Sequence, residues 1–220
     1  MTDVRMYMFQ CGVIRQHWHD LMMNQRLGEP VEVPIPWYLV THPRGHILID
    51  GGNAPECATD PRGHWGEVAE KFVPVMSAEQ ACLPQLEAIG IDPADVRVIV
   101  QSHLHLDHTG ALAVFDRFPN ARVLATRAEF EYAHAPDWHV EPAYISADFV
   151  KPGIRWDLLE PTDDGYDVYG DGVVRLWQTP GHRRATCRWR SRCRAAGRTR
   201  SRSTRPTPWS TGTRTACRAC

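Results

Sequence analysis

The 38 residues after His182 contain no Asp, Glu, Lys or His, and none of Ile, Leu, Val, Met, Phe or Tyr. A segment without apolar side chains at a helical or strand period has nothing to bury as a core. The chain also lacks any apolar run near the ~18–20 residues of a membrane helix, which excludes a helical membrane span. No N-terminal signal pattern is present, so the expectation is a cytoplasmic globular protein. No internal repeat divides the 220 residues.

What is there divides into two unlike pieces. The net charge of −1 averages residues 1–182, with 13 Lys+Arg against all 26 Asp+Glu, and residues 183–220, with 12 Arg and no acid. Four of the seven cysteines (Cys187, Cys193, Cys217, Cys220) lie in the second piece. Three readings of that piece are open. It is an arginine-rich arm for nucleic acid, a disulfide-bearing extension, or a stretch translated out of frame. A basic arm would bind nucleic acid by charge alone, and Trp189 and Trp209 are too few aromatics for specific recognition. The segment 183–220 is expected to be disordered or poorly packed.

Along residues 1–182, strands and helices are mixed, which makes this an α/β chain. Val4–Phe9 is β-prone. Ile35–Thr41 and His46–Asp50 predict a hairpin around Pro43-Arg-Gly45. Ser77 with Gln80 forms a capping box, and Cys82, Leu83, Leu86 and Ile89 give a helical apolar face ending at Gly90. Val96–Gln101 reads as a buried strand and Arg122–Thr126 as another. A helix is predicted from Arg127 to about Ala133, and a last strand over Val173–Thr179.

The chemistry-bearing run is Ser102-His-Leu-His-Leu-Asp-His-Thr-Gly110, directly after an apolar strand. His103 and His105 point the same way at period two, and Asp107 and His108 come round at the strand exit. Neutral imidazole and carboxylate are the N/O donors that zinc prefers, and the alternating leucines can anchor the loop in the core. His17, His19, His42, His46 and His64 show no ligand spacing with one another. Met22 and Met23, with Trp37, either line an apolar substrate pocket or simply pack in the core. Cys11, Cys57 and Cys82 read as reduced thiols.

His-x-His-x-Asp-His after a buried strand resembles the metallo-β-lactamase superfamily of binuclear hydrolases. Leu48-Ile-Asp-Gly-Gly52 upstream and Thr179-Pro-Gly-His182 downstream lie where that family places its other motifs. Asp50-Gly-Gly-Asn53, Thr59-Asp-Pro-Arg-Gly-His-Trp-Gly66 and Val100–Gly110 resemble, more narrowly, the N-acyl-homoserine lactonases. The likeness covers residues 1–182 and then stops. It implies a metallo-β-lactamase αβ/βα sandwich with its second half incomplete. It also implies a hydrolase domain over 1–182 followed by a tail over 183–220.

Carried over to this chain, the resemblance places His103, His105 and His182 on one zinc, with Asp107 and His108 contributing to a second. Asp107 is the candidate for delivering a proton to the leaving oxygen, and Asp50 either orients a ligand histidine or serves a turn. The family needs a bridging Asp and a further His after position 182, and neither residue type exists there. One zinc or none is therefore expected in place of two. The implied activity is opening the lactone ring of N-acyl-homoserine lactones (quorum quenching), impaired in this chain. The alternatives are another hydrolase of the same fold, acting on a thioester or a different lactone, or a non-catalytic remnant with a basic tail. The expected partner is a small-molecule lactone, with no membrane and no specific nucleic acid.

The missing text is recoverable from codons that straddle successive residues. Junctions from His182 to Cys187 permit Ser-Pro-Gly-His-Leu, and those from Ser203 to Trp209 permit Asp-Ala-Ala-Tyr-Thr-Leu. Both match the family in one register. Loss of a single base directly after the His182 codon accounts for both.

Overall fold

The computed structural model describes residues 4–160, 162–179, 187–191 and 194–198. Its strands are β1 (Arg5–His17), β2 (Pro30–Val40), β3 (His46–Ile49), β4 (Val73–Val75), β5 (Val96–Val100), β6 (Arg122–Thr126), β7 (Trp156–Leu159), β8 (Tyr166–Asp167), β9 (Val174–Gln178), β10 (Cys187–Ser191) and β11 (Arg194–Arg198). Its α-helices are α1 (Trp18–Leu21), α2 (Pro61–Trp65), α3 (Val68–Lys71), α4 (Cys82–Ala88), α5 (Gly110–Ala113), α6 (Arg127–His134) and α7 (Ser146–Phe149).

The larger sheet runs β11-β1-β2-β3-β5-β6-β7, with β4 paired to β1. Pairing is antiparallel from β1 through β3 and parallel from β3 through β5 and β6 to β7. The parallel strands are apolar on both faces, as a doubly covered sheet requires. Leu48, Ile99 and Val123 join a core with Leu86, Leu112 and Phe149 from the helical side. Ile47, Ile49, Val98, Val100 and Leu124 face the other way, onto Val174 and Leu176 of the smaller sheet β10-β9-β8 and Val168 just after β8. A one-residue register slip would exchange these two sets, so each full burial, worth ~1.5–3 kcal/mol per large aliphatic side chain, also fixes the register. The result is a layered α/β sandwich. Among the described residues, no helix is long and apolar enough to cross a membrane.

Most predicted elements appear where the pattern placed them, and two differ for clear reasons. The helix capped by Ser77 forms its capping box, yet it breaks at Ala81 into a 3-10 turn and α4. Pro84 has no N–H to continue the ladder, and the Gln80 carbonyl accepts from the Gln85 side-chain amide instead. The second difference lies in the arginine-rich segment. Residues 187–191 pair antiparallel with β9, and residues 194–198 pair parallel with β1. The segment 183–220 is expected to be disordered or poorly packed; within it, the described residues 187–191 and 194–198 form paired strands. Strand pairing draws on backbone groups, which every sequence carries, and the edges of β9 and β1 supply the partners. Trp189 also meets the Tyr38 ring edge-on at 4.8 Å.

A candidate metal centre beyond the ends of the parallel strands

Chains that leave parallel strands at their carboxyl ends converge on one rim of the sheet, the usual location of a ligand site. Here β3 delivers Asp50, and β5 delivers the histidine loop that ends in α5. Two glycines let the two segments touch. A Cβ at Gly110 would collide with the carbonyl oxygens of Gly51, Gly52 and Asn53, and one at Gly51 would collide with Ala111. Gly110 N–H donates to the Gly52 carbonyl at 2.8 Å. Asp50 itself holds φ +62, a left-handed conformation that costs a non-glycine residue of order 1–3 kcal/mol.

That strained backbone aims the Asp50 carboxylate into the loop. Its Oδ1 accepts from Ser102 N–H at 2.8 Å, and its Oδ2 from the Ser102 hydroxyl at 3.0 Å. Oδ2 also lies 3.0 Å from His108 Nδ1. The Ser102 oxygen, having given its proton to Asp50, accepts from His103 Nδ1 at 3.1 Å. In both imidazoles a proton is thereby held on Nδ1, which leaves Nε2 as the nitrogen that a metal would take, in His108 by displacing the proton it shares with Asp107. This is the tautomer a metal-binding histidine needs.

The structure brings His103, His105, Asp107 and His108 together. The His103 ring centroid lies 4.6 Å from that of His105 and 4.1 Å from that of His108. His108 Nε2 stands 3.3 Å from Asp107 Oδ2. Two ligands of one tetrahedral ion with bonds of ~2.0–2.1 Å sit about 3.3 Å apart, so this pair fits a shared ion. Burial opposes the charge on both groups, but each stabilises the other's charge. Asp107 is drawn down to about 2 by His108, and His108 is raised well above its usual value by Asp107 and Asp50. The donor set and its tautomers fit a divalent metal.

Of the remaining predicted residues, His182 lies outside the described residues. Trp37 is fully buried and stacks on Phe9 at 4.1 Å, so its ring belongs to the core. Met22 and Met23 are 48% and 84% exposed, beside exposed Leu21 and Leu27, and could meet an apolar ligand.

The structure adds residues that sequence reasoning passed over. Glu129, Asp148 and Tyr144 are buried around the loop, but nothing in their spacing marks them. His17 and His19, read as lacking ligand spacing, in fact converge with Asp20, their donor atoms all within 4.8 Å of one another. Gly28 N–H donates to His19 Nδ1 at 3.2 Å, so the proton sits on Nε2, the nitrogen 4.0 Å from Asp20. Lys71 pairs with the Asp20 carboxylate at 2.8 Å. A cavity of about 510 Å³ lined by His42, Arg44, His46 and Arg97 lies at the other ends of β3 and β5, away from the loop.

Comparison with known proteins bears on this geometry. The family described as the metallo-beta-lactamase superfamily matches residues 30–190. The N-acyl homoserine lactonase AttM of Rhizobium radiobacter is 54% identical over 183 residues, covering 83% of this chain and 68% of its own length. Among solved structures, an N-acyl homoserine lactone hydrolase with N-hexanoyl-L-homoserine at its catalytic metal centre superposes with TM-score 0.73 at 24% identity. That match covers 88% of this chain and 72% of the hydrolase. AidC, a dizinc quorum-quenching lactonase, superposes with TM-score 0.55 at 17% identity over 84% of this chain and 66% of its own. At these identities the structural likenesses speak for the fold.

Proposed function

The chain belongs to the metallo-β-lactamase superfamily and, within it, to the N-acyl homoserine lactonases, and from that premise we propose its chemistry. The reaction is hydrolysis of the lactone ring of an N-acyl homoserine lactone, at a zinc centre held in part by His103, His105, Asp107 and His108. The observation that supports this reading is His108 held between Asp50 at 3.0 Å and Asp107 at 3.3 Å, with Asp50 itself fixed by Ser102. His182 is proposed to join His103 and His105.

When bound, the metal supplies Lewis acidity toward the lactone carbonyl and lowers the pKa of a water toward ~7. The chain's own residues do the rest. Asp50 holds His108 and, through Ser102, His103 in the tautomer that presents Nε2. Asp107 is the proposed carrier of a proton from the attacking water to the ring oxygen as the acyl C–O bond breaks. Water adds to the carbonyl carbon, the ring oxygen leaves as a hydroxyl, and one carboxylic acid forms. Met22 and Met23 would meet the acyl chain. The buried free thiols Cys11, Cys57 and Cys82 support a cytoplasmic setting, where thiols stay reduced.

Residues 183–220 hold no Asp and no His, the residue types that the family resemblance expects there for a second metal. We propose that the chain turns over lactone at least ~100-fold more slowly than a version with one base restored after the His182 codon, removal of metal-site ligands having effects of this order or larger. Lactone-dependent acid release by both purified proteins tests this. Equal rates would contradict it.

A further inference from the structure

Asp50 is one of three buried carboxylates that grip the ligand loop, and the other two come from helices remote in sequence. Glu129 of α6 is 1% exposed, and its Oε1 accepts from Leu104 N–H at 2.9 Å, between the two ligand histidines. The Tyr144 hydroxyl donates to the same oxygen at 3.3 Å, while its ring meets His105 edge-on at 4.9 Å. Asp148 of α7 is 0% exposed. Its Oδ2 accepts from the Thr109 hydroxyl at 2.7 Å, and its Oδ1 lies 2.8 Å from His64 Nε2 in α2.

We propose that Glu129 and Asp148 are positioning residues for metal loading, Glu129 fixing the His103–His105 spacing and Asp148 fixing the Asp107–His108 turn through Thr109. Both carboxyl groups are buried, so losing the hydrogen bond to the loop would leave a polar group unpaired at a cost. Leu104 N–H is held by a buried carboxyl group between His103 and His105, whose buried rings lie 4.6 Å apart. Holding that one amide sets the direction of both imidazoles. Thr109 directly follows His108, and its carbonyl accepts from Leu112 N–H at 2.8 Å at the start of α5. Anchoring its hydroxyl therefore ties the turn to α7 and, through His64, to α2.

The inference rests on the reading that this loop binds metal, and its test separates the two. Cobalt(II) is titrated into the full chain and followed by its visible absorption, which reports ligand geometry. Thr109→Val keeps the volume and removes the hydroxyl, whereas Thr109→Ser keeps the hydroxyl and removes the methyl. A positioning role predicts an affinity loss of about tenfold or more with an altered spectrum in Thr109→Val, and near-parental binding in Thr109→Ser. A packing role predicts the reverse order, which would overturn the inference. Glu129→Gln, which retains an acceptor for Leu104 N–H, should bind more tightly than Glu129→Ala. Equal binding by those two folded variants would likewise overturn it, and the threonine pair decides the matter if Glu129→Ala does not fold. His103→Ala is the control. If it binds cobalt as the parent does, or if the parent binds none, the metal-site reading falls and the inference with it.

Discussion

Among the described residues, two clusters bring histidines close to a carboxylate, and they differ in what their neighbours do to those groups. In the loop after β5, Asp50 and Ser102 draw protons onto Nδ1 of His103 and His108 and so leave Nε2 of each as the nitrogen for a metal. In the cluster after β1, Gly28 takes the Nδ1 lone pair of His19, and Lys71 already neutralises Asp20. Proximity of donors is shared by both. What differs is the tautomer that neighbouring groups impose, and whether a cation of the protein already fills the place of a metal. The cost of building the difference is visible in the backbone, since Asp50 sits in the left-handed region to reach the loop.

The contrast can be broken from either side. Asp50→Asn keeps the size of the side chain but removes the charge that orders Ser102 and two imidazoles. Zinc affinity of the loop should fall about 10–100-fold, as outer partners of metal histidines generally show. Competition with a chromophoric chelator reads this, and an unchanged affinity would mean that the tautomers are set by something else. A smaller effect is expected at the other cluster. Lys71→Ala frees the Asp20 carboxylate, so nickel binding there should rise severalfold, the scale of a partly exposed ion pair. Binding that stays at the parental level would show that His19, held by Gly28, is the real obstacle.

The sequence showed one of these clusters clearly and hid the other. Period-two histidines after an apolar strand announce a site because the strand's alternation carries into the loop. His17 and His19 have the same period, but their environment depends on Gly28 and Lys71, which no local pattern connects to them. The same limit hid Glu129 and Asp148. Glu129 reads as an ordinary first-turn acid after Thr126, and only the packing of α6 under the loop turns it toward Leu104. The strands at Val96–Val100 and Arg122–Thr126 were legible from their apolar runs, whereas the order of the strands in the sheet was not, because no local pattern records which strands pair. The break at Ala81 was legible in principle from Pro84, yet the apolar face of Cys82, Leu83 and Leu86 suggested continuity. The strands at 187–191 and 194–198 were not legible at all, because backbone pairing leaves no apolar period in an arginine-rich segment.

Zinc content per chain, measured after equilibration with buffered zinc and gel filtration, tests the central claim most directly. The account predicts one zinc in the parent chain, its loss in His103→Ala, and its retention when His17 and His19 are both replaced by Ala. Zinc retained in His103→Ala and lost from the His17→Ala, His19→Ala double variant would contradict it.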